Sequence, residues 1–227
     1  MTSGPGVICL QGGRELTPPC DEMDRLILER CSGTVAVLAG AARPGSDYAG
    51  ASARTVAHYA RLGVTVEVVP DPRADRAGAV AALDGDIGLV VLPGGSPGGL
   101  LDVLTVRATD DTTTVADLVI SLWSSGAGIS GASAGAMVLC SHVASTGRSD
   151  GLATGLDLVP GMAIPHWSPG SERRWSLPDT LLWGLPECGG VVVDEDSMIG
   201  VGQGAASVSV GGSWRAVDRH RPEPLPR

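Results

Sequence analysis

Gly131-Ala132-Ser133-Ala134-Gly135-Ala136 decides how this chain is read. The apolar, small-residue run Gly126-Ala127-Gly128-Ile129-Ser130 precedes it and Met137-Val138-Leu139-Cys140 follows it, so the segment reads as strand, sharp turn and helix with Ser133 at the tip. A G-x-S-x-G turn of this kind is a nucleophile elbow. Small residues on both sides let the serine take a strained backbone angle while the helix passes close to the strand. The hydroxyl is lifted clear of the sheet, and the backbone N–H of Ala134 faces any oxyanion formed there. Taken alone, the same six residues also describe an inert serine in a glycine-rich turn, so the decision falls to the rest of the chain.

Short β-branched or apolar runs recur at 7–10, 34–38, 64–69, 87–92 and 127–130, separated by amphipathic stretches of helical length at 22–30, 51–62, 76–83, 115–124 and 134–141. Such alternation predicts βαβ units and a mostly parallel sheet with helices on both faces. After Asp150 the runs shorten: 161–164, 191–193, 198–201, then 206–210 and 214–217 around Gly211-Gly212. The last two predict an edge hairpin. At 227 residues the chain suits one α/β domain over 1–218, with the proline-rich 219–227 as a disordered tail.

Composition excludes several chemistries. All sixteen basic residues are arginine, which removes a Schiff-base lysine, a Ser-Lys dyad and a P-loop lysine. A net charge of −9 without a basic stripe argues against a nucleic-acid partner. No apolar run approaches the ~20 residues of a membrane span, and the N-terminal residues lack a signal peptide's basic and apolar regions. The expectation is a cytoplasmic protein without membrane contact. Cys9, Cys20, Cys31, Cys140 and Cys188 are scattered and form no C-x-x-C pair, which predicts reduced core thiols and no zinc site.

A serine nucleophile needs a base, and the base needs an acid to fix its tautomer. His58 lies in a helical pattern, His142 after the elbow helix and His220 in the polar tail. His166 ends the short apolar run Gly161-Met162-Ala163-Ile164-Pro165, where open α/β sheets place functional side chains. Candidate acids are Asp194, Glu195 and Asp196, which end the apolar run 191–193, and Asp150 and Asp157 between elbow and histidine. The glycine-rich Leu92-Pro93-Gly94-Gly95-Ser96-Pro97-Gly98-Gly99 follows a buried strand and offers unhindered N–H groups for a second oxyanion donor. It carries neither a G-x-G-x-x-G nor a Walker pattern for phosphate.

Gly12-Gly13 after the first strand, the Gly94-Gly95 loop, the elbow at Ser133, the run from Leu156 through Pro160-Gly161 to Pro165-His166-Trp167, and Asp194-Glu195 together resemble the peptidase S51 family. That family includes aspartyl dipeptidase and cyanophycinase. The resemblance implies a class I glutamine amidotransferase-like, flavodoxin-like three-layer sandwich. It implies Ser133 as nucleophile, His166 as base and Glu195 as orienting acid, with Asp150 ranked second. Gly95 and Ala134 would donate to the oxyanion from their backbones. Members acting on acidic substrates are similar in carrying arginines after the histidine, and Arg173 and Arg174 occupy that region, well suited to a carboxylate. Glu172 beside them allows a purely structural surface pair.

These readings converge on a serine hydrolase that cleaves a peptide or related amide, including acidic dipeptides, through an acyl-enzyme on Ser133, with no metal or organic cofactor and with a homodimer allowed. Two rivals stand beside it. A specialised amidase or acyl hydrolase of secondary metabolism would keep the triad and change the pocket. A non-catalytic amidotransferase-like binding protein would have no need of Ser133, His166 and Glu195 together. Glutamine amidotransfer itself uses cysteine at the elbow, where this chain has serine.

Overall fold

The computed structural model describes residues 4–107, 112–144, 152–174, 177 and 179–226. Strands and helices alternate through its first part: β1 (Ile8–Gln11), α1 (Asp21–Leu28), β2 (Thr34–Val37), α2 (Ser46–Arg61), β3 (Val66–Val68), α3 (Arg76–Leu83), β4 (Ile87–Leu92), α4 (Pro97–Leu104), α5 (Val115–Ser124), β5 (Gly128–Ala132) and α6 (Ala134–Leu139). Strands dominate the rest: β6 (Cys140–Ala144), β7 (Leu152–Thr154), β8 (Val159–Trp167), β9 (Leu182–Pro186), β10 (Gly189–Val193), β11 (Ser197–Gly202), β12 (Ser207–Val210), β13 (Ser213–Ala216) and β14 (Glu223–Pro224).

Every residue of β1, β4 and β5 is buried, as strands covered on both faces must be. Side chains alternate between two cores. From β1 and β4, Ile8, Leu10, Val90 and Leu92 pack with α3, α4, α5 and α6. Cys9, Leu89 and Val91 turn the other way, toward Met23 and Ile27 of α1 and Tyr48 and Tyr59 of α2. The result is an α/β fold with helices on both faces. Its main sheet has eight strands in the order β14-β11-β10-β1-β5-β4-β2-β3.

Only the half from β1 to β3 is parallel; β1–β10, β10–β11 and β11–β14 are antiparallel. A second sheet, β13-β12-β9-β8-β6-β7, is mixed as well. The mostly parallel sheet expected from the alternation is therefore corrected to a mixed one. The alternation covers the first 130 residues, and the later strands that join the main sheet, β10, β11 and β14, pair antiparallel, with β10 and β11 linked by a short turn. The hairpin at Gly211-Gly212 forms at the edge of the second sheet, with Val210 opposite Ser213.

Helix starts follow local chemistry. Thr114 and Asp117 form a reciprocal capping box on α5, and the two hydrogen-bond donors of Thr114 hold the Asp117 carboxyl below its ordinary pKa. Ser96 caps α4 by accepting from Gly99 N–H at 3.1 Å, with Pro97 at the first turn. The helix expected over 134–141 stops at Leu139. The returning segment takes its carbonyls: Leu156 N–H donates to Val138 O and Leu158 N–H to Leu139 O, and Cys140 leaves in an extended conformation to begin β6.

The proline-rich end, expected as a disordered tail from residue 219, adds the short strand β14 to the edge of the main sheet. Glu223 and Pro224 pair with Met198 and Ser197, Leu225 N–H donates to Asp196 O, and Glu223 accepts from Arg215 and from Asp218 N–H. An edge strand tolerates prolines because one side of it needs no donors. All five cysteines are free. Burial pushes the Cys20 and Cys140 thiols up to about 12, which leaves them protonated and poor nucleophiles at neutral pH. Among the described residues, no helix is long and apolar enough to cross a membrane.

Candidate active site

Ser133 joins β5 to α6 with φ 48° and ψ −106°, a left-handed, strained conformation for a residue bearing a side chain. Its neighbours explain the glycines of the motif. A Cβ on Gly131 would lie 2.6 Å from the Gly135 carbonyl carbon, and one on Gly135 would lie 2.0 Å from the Leu92 carbonyl oxygen. The helix thus passes directly over the strand, as the elbow requires. Ser133 N–H donates to Gln11 O at 2.9 Å, fixing the turn to the end of β1.

His166 reaches the elbow through an irregularity in β8. The pairing of β8 with β9 shifts register between Ile164 and Trp167, and His166 itself has φ 55°. This bulge turns the ring out of the sheet, placing Nε2 3.2 Å from Ser133 Oγ. His166 N–H donates to Gly12 O at 2.9 Å, and a Cβ on Gly13 would stand 2.5 Å from the ring carbon Cε1. Gly12-Gly13 is therefore the seat on which the imidazole rests.

The carboxylate on the far side of the imidazole is Glu187. Its Oε1 lies 3.6 Å from His166 Nδ1, in the turn between β9 and β10. The same glycine pair holds that turn, with Cys188 N–H donating to Gly13 O and Gly12 N–H to Gly189 O. Arg14 lies 3.8 Å from the other Glu187 oxygen. Both His166 and Glu187 are about half exposed, so solvent screens the pair.

Glu195 does not reach the histidine. β10 runs antiparallel to β1, with Gly190 beside Gln11 and Val193 beside Ile8. Its first residues lie at the Ser133 end of the sheet and its last at the opposite end. The five residues of β10 span about 13 Å from Gly189 to Val193, and Glu195 lies in the turn beyond, where its Oε2 is 3.5 Å from the position of a Cβ on Gly4. Asp194 at that end pairs with Arg30. Asp157 accepts from Ser141 instead, and Asp150 lies outside the described residues. Strand direction therefore sets Glu195 at the end of β10 away from Ser133.

The loop after β4 closes over the elbow. A Cβ on Gly94 would be 3.2 Å from Ser133 Cβ, and one on Gly95 would be 2.5 Å from Ala41 O, so only glycines allow this approach. Among the described residues neither Gly95 N–H nor Ala134 N–H has a protein acceptor. Gly94 N–H is taken by Glu15 Oε1 at 2.8 Å, a contact sequence reasoning missed. Its signal was the position of Glu15 two residues beyond Gly12-Gly13. Arg173 is exposed in the 3-10 turn Ser171–Arg174 that follows β8, its N–H donating to Gly170 O. Among the described residues, no hydrogen bond or ion pair joins Arg173 to Ser133, His166 or Glu187.

Beneath the site, Gln11 ends β1 in a buried polar network. Its Nε2 donates to Asp24 Oδ1 at 2.9 Å and Ser130 Oγ at 3.1 Å. Asp24 also accepts from Tyr59 OH and meets His58 Nε2 at 2.7 Å. Arg61 is 3.2 Å from His58 Nδ1. A guanidinium can only donate, so Nδ1 accepts and Nε2–H donates to Asp24. His58 is thus a structural histidine. Asp24→Ala leaves three buried donors without their acceptor and is expected to cost about 3–5 kcal/mol. For a chain of this size that is a fall of roughly 6–20 °C in Tm, to be read by thermal unfolding.

A model of peptidase family S51 matches residues 39–208. The chain belongs to that family. Its function is accordingly hydrolytic, of the peptidase or amidase type. A peptidase from an acI-B1 Actinobacterium superposes with a TM-score of 0.81 at 22% identity, covering 99% of each chain. A Peptidase E protein, so described provisionally, from Listeria monocytogenes EGD-e superposes at 0.60 with 16% identity, covering 88% of this chain and all of its own. At these identities the two structures speak to the fold. No curated protein sequence matches the chain significantly.

Proposed function

We propose that this S51 member is a serine hydrolase of peptide or related amide bonds that works through an acyl-enzyme on Ser133. The observation that carries the reading is Ser133 Oγ at 3.2 Å from His166 Nε2 on a strained elbow. Ser133 attacks the scissile carbonyl as its proton passes to His166 Nε2. The carbonyl oxygen becomes an oxyanion facing the N–H groups of Ala134 and Gly95. Collapse breaks the C–N bond, and His166 returns the proton to the leaving amine. Water then attacks the ester, losing a proton to His166, and the departing Ser133 recovers it.

Glu187 replaces Glu195 as the orienting acid in this proposal, because it alone of the described carboxylates faces His166 Nδ1. Held there, it favours the tautomer with Nδ1–H toward the carboxylate and Nε2 free to take the serine proton. Reaction with a fluorophosphonate followed by peptide mass spectrometry tests the nucleophile. Modification of Ser133 in wild type and none in Ser133→Ala is expected; a label elsewhere overturns the assignment.

An acidic substrate preference rests on Arg173 and Arg174. Replacing each by Met keeps much of the stem and removes the charge. If either guanidinium pairs with a substrate carboxylate, kcat/KM on acidic peptides falls about 10- to 150-fold while neutral peptides are nearly unaffected. Equal losses on both would assign the arginines to loop support.

A further inference from the structure

We propose that Gln11 is a positioning residue that sets nucleophile, base and acid against one another, acting from beneath the site through the backbone of Gln11-Gly12-Gly13. The inference rests on Ser133 being the nucleophile and His166 its base. Three consecutive carbonyls carry the three parts. Ser133 N–H donates to Gln11 O at 2.9 Å, His166 N–H to Gly12 O at 2.9 Å, and Cys188 N–H, next to Glu187, to Gly13 O at 2.9 Å. These donors come from the end of β5, from β8 and from the turn between β9 and β10, so the tripeptide is their common attachment.

Two glycines do not hold such an attachment still. Gly12 and Gly13 have no side chains to pack, and the chain leaves the strand through φ 138° at Gly13 and 54° at Arg14. Gln11 is the member of the three with a side chain to fix it. It is 2% exposed and lies in β1 between Ala132 of β5 and Gly190 of β10. Alternation along β1 turns it, with Cys9, toward α1 and α2. There its Nε2 donates to Asp24 Oδ1 of α1 and to Ser130 Oγ of β5, and Asp24 is held in turn by His58 and Tyr59 of α2. The carbonyl that carries Ser133 is thus locked to two helices and a neighbouring strand.

Packing alone does not account for a glutamine here. Cys9, Met23 and Ile27 make the same layer apolar, and the Asp24 carboxylate has His58 and Tyr59 as donors without Gln11. Gln11 Oε1 has no hydrogen-bond partner among the described residues, a loss of stability that a methionine of similar length would avoid. Local rules of this kind are broken at functional sites. What the glutamine adds is direction, because two donors aimed at fixed acceptors leave its amide one orientation. A loosened tripeptide shifts Ser133 and His166 relative to each other, and a misplacement of about 1 Å costs about 10²-fold in rate. The loss falls on proton transfer between Oγ and Nε2, which stand 3.2 Å apart, so it appears in kcat with KM unchanged.

Gln11→Met keeps the length and removes both hydrogen bonds. It should lower kcat about 10- to 100-fold at nearly unchanged KM and slow fluorophosphonate labelling of Ser133 by a similar factor. Leu83→Ala, buried at the end of α3, controls for stability: read by thermal unfolding, it loses Tm and should keep the wild-type kcat. In a His166→Ala background Gln11→Met should add little, because positioning acts through the base. Ser130→Ala removes one of the two acceptors and leaves Asp24 in place. It should lower kcat roughly 3- to 10-fold at unchanged KM, and it carries the test if Gln11→Met does not fold. An unchanged kcat in folded Gln11→Met, or in Ser130→Ala where Gln11→Met does not fold, overturns the proposal. So does an equal loss in Leu83→Ala, or a full further loss on top of His166→Ala. With Ser133 labelled in wild type, each of these results removes the positioning role alone, whereas an unlabelled wild type overturns the hydrolase and the positioning role together.

Discussion

Ser133→Ala is expected to lower kcat roughly 10⁴-fold or more on whichever peptide or amide the wild-type protein turns over fastest, with KM little changed. The loss belongs to the transition state, because the Oγ–C bond formed during attack has no substitute in the variant. What remains is whatever the oxyanion donors and substrate binding contribute to direct attack by water. Stability should be nearly untouched. The Ser133 side chain is not fully buried, its hydroxyl meets the half-exposed His166, and alanine inherits the same strained φ. Changes of that kind stay within about 0.5 kcal/mol, or roughly 2 °C in Tm. His166→Ala should cost a similar factor, and the double variant little more than either, since nucleophile and base act as a unit. Retention of a tenth of the activity by Ser133→Ala would remove it from the mechanism.

The elbow was legible because its demands are local. A strand, a turn that admits only small residues and a helix lie within a dozen positions, and each leaves a compositional mark. The same holds for α3 and α5, whose predicted and observed bounds coincide, and for the buried β4. What the sequence hides is set at long range. β9 carries Gly184 and Pro186, which read as breakers, yet the glycine is there because a Cβ would lie 2.6 Å from the Trp167 ring. With β9 unread, Glu187 is absent from the candidate acids, and the apolar run ending at Asp194-Glu195 draws the acid's role to itself. Only the antiparallel register of β10 against β1 shows that this run points away from the site. α4 was hidden for a related reason: Gly98 and Gly99 mask a helix that Ser96 and Pro97 announce. The seat formed by Gly12-Gly13 is legible as a glycine pair but not as a seat, because its partners, His166 and Cys188, come from sequence positions more than 150 residues away.

Replacing the acid separates these two readings most sharply. Glu187→Gln should reduce kcat by about 10²–10⁴-fold, while Glu195→Gln changes it less than tenfold. Glutamine can still accept from Nδ1–H, so the tautomer is not abolished. What is lost is the negative charge that stabilises the imidazolium while His166 holds the serine proton. At 3.6 Å, with both partners half exposed, the resting pair is looser than a buried one, and water screens part of its attraction. The effect should therefore lie toward the lower end of that range, unless substrate binding expels water and tightens the contact, as catalytic hydrogen bonds often do on going from the free enzyme to the complex. Single-turnover acylation rates measure the step directly, since the charge matters while the proton resides on His166. Asp150→Asn completes the comparison as the second-ranked acid. A large loss in that variant with Glu187→Gln near wild type would move the role to Asp150, and a large loss in Glu195→Gln alone would require the β10 end of the sheet to act from a distance at which a carboxylate has almost no hold on an imidazole in water.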